Sequence, residues 1–595
     1  MPELNFKGKE FVFNHHLTVP FRPLEIQTDK GLGAPSLEGS LIIHGDNLHA
    51  LKALLPTHAG KIDMIYIDPP YNTGSEDWRY NDNVNSPMIK AWLSENPVTL
   101  DDGLRHDKWL TMMWPRLRLV KELMSDEAVI FISINSIEYA NLRAICDLIF
   151  GESEYIGEFI WRSRQNKDNR NESGLSNDHE FILAYGAGLA GELRSAADYE
   201  NPDDDDRGPW ASGNMVGLAS KESRPNLHYD LINPETDVNY GCPRRGWRFE
   251  PATMARLMQE DRILWPESDT GRPRRKVFLS EMTARTNATS VVPLPIFTRN
   301  GSKTYRQIMG NDDFQFPKPP ELIQHLIGLF ESKELVILDS FAGSGTTAHA
   351  VLAANALDQG ARKFILVEGE AYADEITAER VRRVIEGYTF NGRLKTELLR
   401  DRITFTKLRN AGKLMERVQA IETLDSHAYD RITKTVKDGE LVVTGERNVE
   451  ARVEGLGGSF TYCALGDAID MDGLLTGEDL PAVEALAALL YHTATSQAFD
   501  QASLKPETEI GDGVIRLGRA NGRHLWLIYK PDLEWLKSAE AALTLSRARA
   551  ISAAENGDHL VFASAKFVSR DLLTQERLPV EFAPLPFALY RVETA

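Results

Sequence analysis

Ile62-Asp-Met-Ile-Tyr-Ile67-Asp68-Pro69-Pro70-Tyr71 is an apolar run that stops abruptly at a carboxylate and two prolines. A short apolar run bounded in this way reads as a buried strand. Working outward, Leu41-Ile-Ile-His44 is a second short strand, and Leu48, Leu51 and Leu54 mark the helix that follows it. A helix around Trp109–Met124 carries Leu110, Met113, Leu117, Val120 and Leu123 on one face. Ala128–Ile134 is another buried strand, and Ile137–Phe150 a helix. Strands alternating with helices predict a doubly wound α/β sheet. Ligands of such a sheet bind beyond the carboxyl ends of its strands, which is where Asp68–Tyr71 falls.

The texture changes near residue 155. Ile156–Trp161 and Glu180–Tyr185 still read as strands, but 186–305 is rich in Gly, Pro, Asn, Arg and Trp, with weak periodicity. Asp203–Asp206, four carboxylates in a row, reads as a solvated loop. Regular α/β patterning returns with a helix through Leu322–Ile327, the strand Leu335–Asp339, a glycine-rich turn, a helix through Val351 and the strand Lys363–Val367. Beyond about 395 a further α/β region is predicted, with strands at Val514–Leu517, His524–Tyr529 and His559–Ala563 and a helix near Leu536–Ala554.

Two motifs carry the chemistry. In Asp68-Pro69-Pro70-Tyr71 the prolines fix φ and lack N–H donors, so their carbonyls serve as rigid acceptors. An exocyclic amino group of a base is a poor nucleophile because its lone pair is delocalised into the ring. Asp68 and the Pro69 carbonyl, each accepting one N–H, would localise that pair for attack on a methyl sulfonium. Tyr71 offers an aromatic face for an extruded base. The second motif is Asp339-Ser-Phe341-Ala342-Gly343-Ser344-Gly345-Thr346-Thr347, between a strand and a helix. Its glycines permit tight turning and close approach, and the helix start offers free N–H groups. Neither the third glycine of a dinucleotide fingerprint nor the GK[ST] of a phosphate loop is present. A zwitterionic amino acid whose carboxylate meets the turn fits better, with Glu368, at the end of the next strand, on ribose hydroxyls. Asp46, after the Leu41 strand, is expected on the cofactor's adenine side. Lys318, in Phe316-Pro-Lys-Pro-Pro320, is expected near the methionine carboxylate.

The chain has 595 residues, 42% hydrophobic and 26% charged, an ordinary globular balance. No membrane-length apolar stretch and no signal peptide are recognised. Cys146, Cys242 and Cys463 lie far apart, giving neither a disulfide framework nor a CxxC metal pair, which points to a reducing cytoplasm. A net charge of −20 opposes nucleic-acid binding by the molecule as a whole. Local basic runs persist nevertheless: Trp161–Arg170, with Arg162, Arg164 and Arg170; Pro243–Arg248, with Arg244 and Arg245; and Gly271–Lys276. These arginines are the candidate DNA contacts. His179 and the remaining histidines read as structural.

With these motifs in view the chain resembles the β-group DNA amino-methyltransferases, in which the DPPY half precedes the FxGxG half. Within that group it is similar to the modification (Mod) subunits of type III restriction-modification systems. The likeness runs through Ile65–Gly74, Tyr80–Asn83, Phe131–Ile134, Leu338–Ala350, Gly455–Phe460 and Pro584–Arg591. It departs at Ile134-Asn135-Ser136, where an acidic pair is commoner. The resemblance implies a Rossmann-like, S-adenosylmethionine-dependent fold that is circularly permuted. It would comprise an arm (1–40), a catalytic half (41–160), a target-recognition region (161–305), a cofactor half (306–395) and a C-terminal domain (396–595) for dimer or partner contacts. It implies transfer to adenine N6 in double-stranded DNA, a homodimer in which one copy reads while the other methylates, and a restriction subunit that hydrolyses ATP and cuts DNA. A cytosine-N4 enzyme, a DNA-reading scaffold for a nuclease and, from the fold alone, a dinucleotide-dependent oxidoreductase are the alternatives. Asp rather than Ser at position 68 favours adenine.

Overall fold

The computed structural model describes residues 4–73, 103–167, 174–268, 270–402, 409, 411–425, 427–437, 440–469 and 480–585. Arg170, Tyr80–Asn83 and most of Pro584–Arg591 lie outside the described residues. Two compact units emerge, one of residues 1–189 and 289–595, the other of 190–288.

The larger unit is built on a nine-stranded sheet. Its strands are β1 (Leu24–Ile26), β2 (Leu41–His44), β3 (Ile62–Ile67), β4 (Met124–Ile134), β5 (Tyr155–Trp161), β6 (Glu180–Gly186), β7 (Val336–Asp339), β8 (Lys363–Glu368) and β9 (Thr461–Leu465). They lie in the order β1-β9-β2-β8-β7-β3-β4-β6-β5. The run from β9 to β4 is parallel, while β1, at one edge, and β6 pair antiparallel to their neighbours. Helices α1 (Asn47–His58), α2 (Arg105–Leu123), α3 (Tyr139–Ile149), α4 (Pro320–Ile327), α5 (Thr346–Asp358) and α6 (Glu379–Glu386) accompany it. One core joins Leu48, Leu51 and Leu54 of α1, Trp109, Met113 and Leu117 of α2, and Ile65, Ile130, Leu338 and Ile365 of the sheet, all at most 1% exposed. The central strands are apolar on both faces because helices cover both.

The decisive feature is a neighbour relation. Ile337 and Leu338 of β7 pair with Met64 and Ile65 of β3, so the strand ending at Asp339 runs beside the strand that leads into Asp68. Leu366 of β8 pairs with Asp339, and Glu368 with His44 of β2. Four consecutive strands therefore deliver Asp46, Glu368, the glycine turn and Asp68–Tyr71 to one rim.

Three expectations require correction. The region expected over 161–305 narrows to 190–288, because β6 and the return segment belong to the larger unit; the Ile160 and Val292 N–H groups bond the Ser290 and Ile160 carbonyls at 2.8 and 3.0 Å. The C-terminal region is not wholly separate, since β9 extends the main sheet beside β2. A three-stranded sheet of Gly387–Arg402, Glu440–Glu454 and Arg431–Lys437 precedes β9. Lastly, no single helix spans Leu536–Ala554. Local caps divide it: Ser538 accepts from Glu540 N, and Thr544 accepts from Arg547 N before the helix Leu545–Ala554. Leu543, Ala548 and Ile551 share a core with a five-stranded sheet in the order Lys505–Pro506, Val514–Ala520, Arg523–Ile528, Asp558–Ala563, Val580–Pro584.

The smaller unit has a core of Met215, Leu231, Trp247, Met254, Leu257 and Ile263. It carries a three-stranded sheet of Trp210–Asn214, Arg274–Phe278 and Ile263–Leu264. The acidic run is not simply solvated: Asp203 and Asp205 hold the buried Lys276 ammonium at 2.6 and 3.0 Å.

Candidate active site

Asp68 follows β3 directly, and its Oδ1 is buried. The Pro70 carbonyl accepts from the Trp109 indole N–H at 2.7 Å, whereas the Pro69 carbonyl has no hydrogen-bond partner among the described residues. Of the two proline carbonyls, that of Pro70 anchors the loop and that of Pro69 stays open. Asn72 turns the chain with φ 57°, a left-handed conformation that its short amide tolerates. Its Nδ2 donates to Glu138 Oε1 at 2.5 Å and to the Arg105 carbonyl at 3.2 Å. Fully buried Glu138 is also met by His106 Nδ1 at 2.6 Å and Asn141 Nδ2 at 2.7 Å. Asn135, at the departure noted above, simply caps the turn by accepting from Ile137 N.

Lys318 was expected to face a ligand carboxylate; it is already committed to two carboxylates of the chain. Its ammonium lies 3.1 Å from Asp68 Oδ1 and 2.9 Å from Glu180 Oε2, and donates to the Tyr71 hydroxyl at 2.7 Å. It also stands over the Tyr71 and Trp161 rings, 4.8 and 5.3 Å from their centroids. A buried ammonium requires such compensation. Burial would lower its pKa, but the Asp68 and Glu180 charges hold it above the ordinary lysine value. Burial raises the Asp68 carboxyl against the pull of Lys318. For Glu180 burial is outweighed by Lys318, and the group lies below the usual range. Glu180 is the residue that the sequence pattern did not single out. It opens β6, and the antiparallel pairing of Phe181 with Ile134 brings it to the rim; its carboxylate accepts from the Tyr71 hydroxyl at 2.8 Å.

The glycine turn stands beside this group. Gly343 and Gly345 have φ 52° and 76°, and a Cβ on Gly345 would come 3.0 Å from the Thr377 carbonyl oxygen. Phe341 N donates to Asp339 Oδ1 at 3.0 Å, and Thr347 Oγ1 to Asp339 Oδ2 at 2.5 Å. Ala342 N donates to the Val367 carbonyl, linking turn to β8. Glu368 accepts from Gly343 N at 2.7 Å and Glu370 N at 3.0 Å. Burial nevertheless pushes both Asp339 and Glu368 up to about 7. Asp46 caps α1, accepting from Leu48 N and His49 N, with Arg116 at 3.5 Å. Two aromatics missed in the sequence complete the wall: Phe314, which a Cβ on Gly343 would meet at 3.0 Å, and Tyr372, edge-on to Phe314 at 5.8 Å.

A rim with an acceptor-rich loop beside a glycine turn and an acidic strand end matches a known family. A profile described as DNA methylase matches residues 62–379, more than half of the chain. The chain belongs to that family. It is 31% identical over 376 residues to the Mod subunit of the type III restriction-modification enzyme StyLTI of Salmonella typhimurium, covering 58% of this chain and 57% of that one. It is 30% identical over 403 residues to the EcoP15I Mod subunit of Escherichia coli, covering 58% and 60%. It is 32% identical over 360 residues to the type II methyltransferase M.KpnI of Klebsiella pneumoniae, covering 57% and 82%. The chain thus spans less than two thirds of the length of those two Mod subunits.

In this DNA methylase Arg162 and Arg164 are exposed residues of the larger unit, with buried Ser163 between them. Arg244 and Arg245 are exposed on the smaller unit, beside Arg248. Lys276, from the third basic run, is spent on the Asp203–Asp205 pair. His179 packs edge-on to Phe181 at 5.0 Å. Among the described residues no helix is long and apolar enough to cross a membrane.

Proposed function

We propose that the protein is a site-specific DNA methyltransferase that modifies N6 of an adenine turned out of duplex DNA, as the modification subunit of a restriction-modification system. The observation that carries this reading is the placement of two acceptors, the Asp68 carboxylate facing Lys318 and the Pro69 carbonyl left open among the described residues, on a strand end neighbouring the glycine turn. An amino group with two N–H donors fits that pair. The residues present also fit S-adenosylmethionine: Gly343 and Gly345 leave room for close approach, Glu368 stands where ribose hydroxyls would donate, and Phe314 and Tyr372 supply apolar walls. When bound, that cofactor supplies an electrophilic methyl group on a sulfonium.

The chain's own residues would do the rest. Tyr71, its hydroxyl tied to Glu180, holds its ring as a stacking face for the base. Asp68 Oδ1 and the Pro69 carbonyl accept the two amino hydrogens and localise the nitrogen lone pair. As that nitrogen gains positive charge, Asp68 stabilises it and can take the proton at Oδ1. Lys318 keeps Asp68 ionised beforehand. Arg162, Arg164, Arg170, Arg244 and Arg245 would contact phosphates. The order of the motifs in the chain supports a circularly permuted fold with an inserted recognition domain.

The Mod relatives support a homodimer and a restriction partner, with the region beyond 396 available for both contacts, in the cytoplasm. Single-molecule sequencing of DNA from cells expressing the chain tests the reading. N6-methyladenine at one recurrent motif is the expected result. N4-methylcytosine would shift the target base, and unmodified DNA with retained DNA binding would make the protein a reader.

A further inference from the structure

Arg380 of α6 is fully buried, yet its guanidinium has no carboxylate within 4 Å among the described residues. One terminal nitrogen donates to the Ser344 carbonyl at 3.3 Å, to Ser344 Oγ at 2.6 Å and to Thr346 Oγ1 at 2.8 Å. The other lies 3.5 Å from His349 Nδ1. Nε is buried without a partner. Burial and the Arg380 charge hold His349 down at about 3, so the imidazole is neutral. Four other buried cations among the described residues face carboxylates: Arg116 faces Asp46, Lys276 faces Asp203 and Asp205, Lys318 faces Asp68 and Glu180, and Arg362 faces Asp358. A guanidinium taken out of water and left without an anion is costly, and such a cost persists where an anion arrives from outside.

We propose that Arg380 is the cation that draws the amino-acid carboxylate of the cofactor to the glycine turn, acting as a positioning residue through Ser344 and Thr346. The inference rests on S-adenosylmethionine being the cofactor. That ligand brings a carboxylate to a rim already holding Asp46, Asp68, Asp339 and Glu368. Lys318 is doubly compensated there, which leaves Arg380 as the unspent charge. Because Ser344 Oγ and Thr346 Oγ1 accept from the guanidinium, their own hydroxyl hydrogens point elsewhere. That of Thr346 goes to the Lys318 carbonyl at 3.2 Å, so the Ser344 hydroxyl donates to Thr346 Oγ1 at 3.3 Å, a long bond that it can exchange for one to an incoming anion.

The test compares two ligands that differ by the carboxylate alone: S-adenosylhomocysteine and its decarboxylated analogue, which retains the amine. Binding of each to the full chain and to Arg380→Met, Arg380→Lys and Ser344→Ala is measured by calorimetry, with circular dichroism monitoring the fold. Arg380→Met should weaken S-adenosylhomocysteine about 10- to 100-fold, the range for a charge-assisted hydrogen bond, and leave the analogue within about twofold. Arg380→Lys should recover part of the loss. Ser344→Ala, which spares the buried charge, should show the same selective loss at smaller size and keeps the test decisive if Arg380→Met does not fold. Equal loss of both ligands in the folded variants, or loss of neither, overturns the proposal. If the unaltered chain binds neither ligand, the cofactor assignment itself fails, and the proposal with it.

Discussion

The Lys318 ammonium lies 3.1 Å from the Asp68 carboxylate, although the two residues sit on opposite sides of the sequence's irregular middle. This contact is the electrostatic control of the candidate site. Burial alone raises the Asp68 carboxyl, and Lys318 opposes that rise. An acceptor of amino N–H groups must be ionised to work well. Lys318→Met should therefore move the acid limb of the activity profile to higher pH, while Lys318→Arg keeps it near its original place. A profile unmoved in Lys318→Met would show that the pair plays no part in keeping Asp68 charged.

Asp68→Ala removes one of the two acceptors and should lower methyl transfer by about 100-fold or more, the scale for loss of one preorganised polar group at a developing charge. Nucleoside binding should survive, because the glycine turn and Glu368 lie on other strands. Radiolabelled transfer and calorimetry on the same preparation separate the two effects. Appreciable turnover in this variant would remove Asp68 from the chemistry.

Much of this rim was legible because apolar runs such as Ile62–Ile67 and Leu335–Asp339 end at abrupt polar stops, and a buried strand can scarcely end otherwise. What could not be read was adjacency. Nothing in local periodicity makes β3 and β7 neighbours. Glu180 escaped for a related reason: an acid at the start of a strand reads as an edge residue until antiparallel pairing carries it to the rim. Lys318 was placed by its proline-rich setting, but its partners depend on which carboxylates the fold brings near. β9 is short enough to be hidden by the glycines before it, and the helix expected at Leu536–Ala554 was broken by Ser538 and Thr544, caps that its apolar spacing obscured.

Glu368 should make ligand binding depend on pH. Its carboxyl titrates at about 7 in the folded chain against 4.5 for an unperturbed glutamate. Between those values the folded state holds a proton that the unfolded state has released. The stability that this group contributes is therefore lost as pH rises through the window. On the proposed reading ribose hydroxyls would donate to the ionised form, so binding should tighten toward pH 7 and release protons at pH 6.5. Calorimetry in buffers of different ionisation enthalpy measures that release, and Glu368→Gln should abolish it. Binding without proton exchange would place the ribose elsewhere.

Gly345 permits a sharper structural test. At φ 76° a side chain costs about 1–2 kcal/mol in backbone strain, and the Thr377 carbonyl oxygen leaves no slack for a Cβ. Gly345→Ala should lower stability to urea by at least that strain and weaken nucleoside binding. Unchanged unfolding and affinity together would mean that the turn relaxes freely and does not shape the pocket.

Asn72 ties down the chain immediately after Tyr71, and three substitutions dissect what that does. Asn72→Gly keeps the left-handed backbone but loses the bonds to Glu138 and the Arg105 carbonyl. Asn72→Ala loses the same bonds and adds strain of about 1 kcal/mol, so it should be the less stable of the two. Asn72→Asp sets a second carboxylate against the fully buried Glu138 and should be the worst. If the bonds to Glu138 hold the loop for catalysis, all three should lose turnover, and Asn72→Gly should lose it without a matching fall in stability. Full turnover in Asn72→Gly would show that the backbone conformation alone orients Tyr71, with Glu138 serving only to satisfy a buried amide.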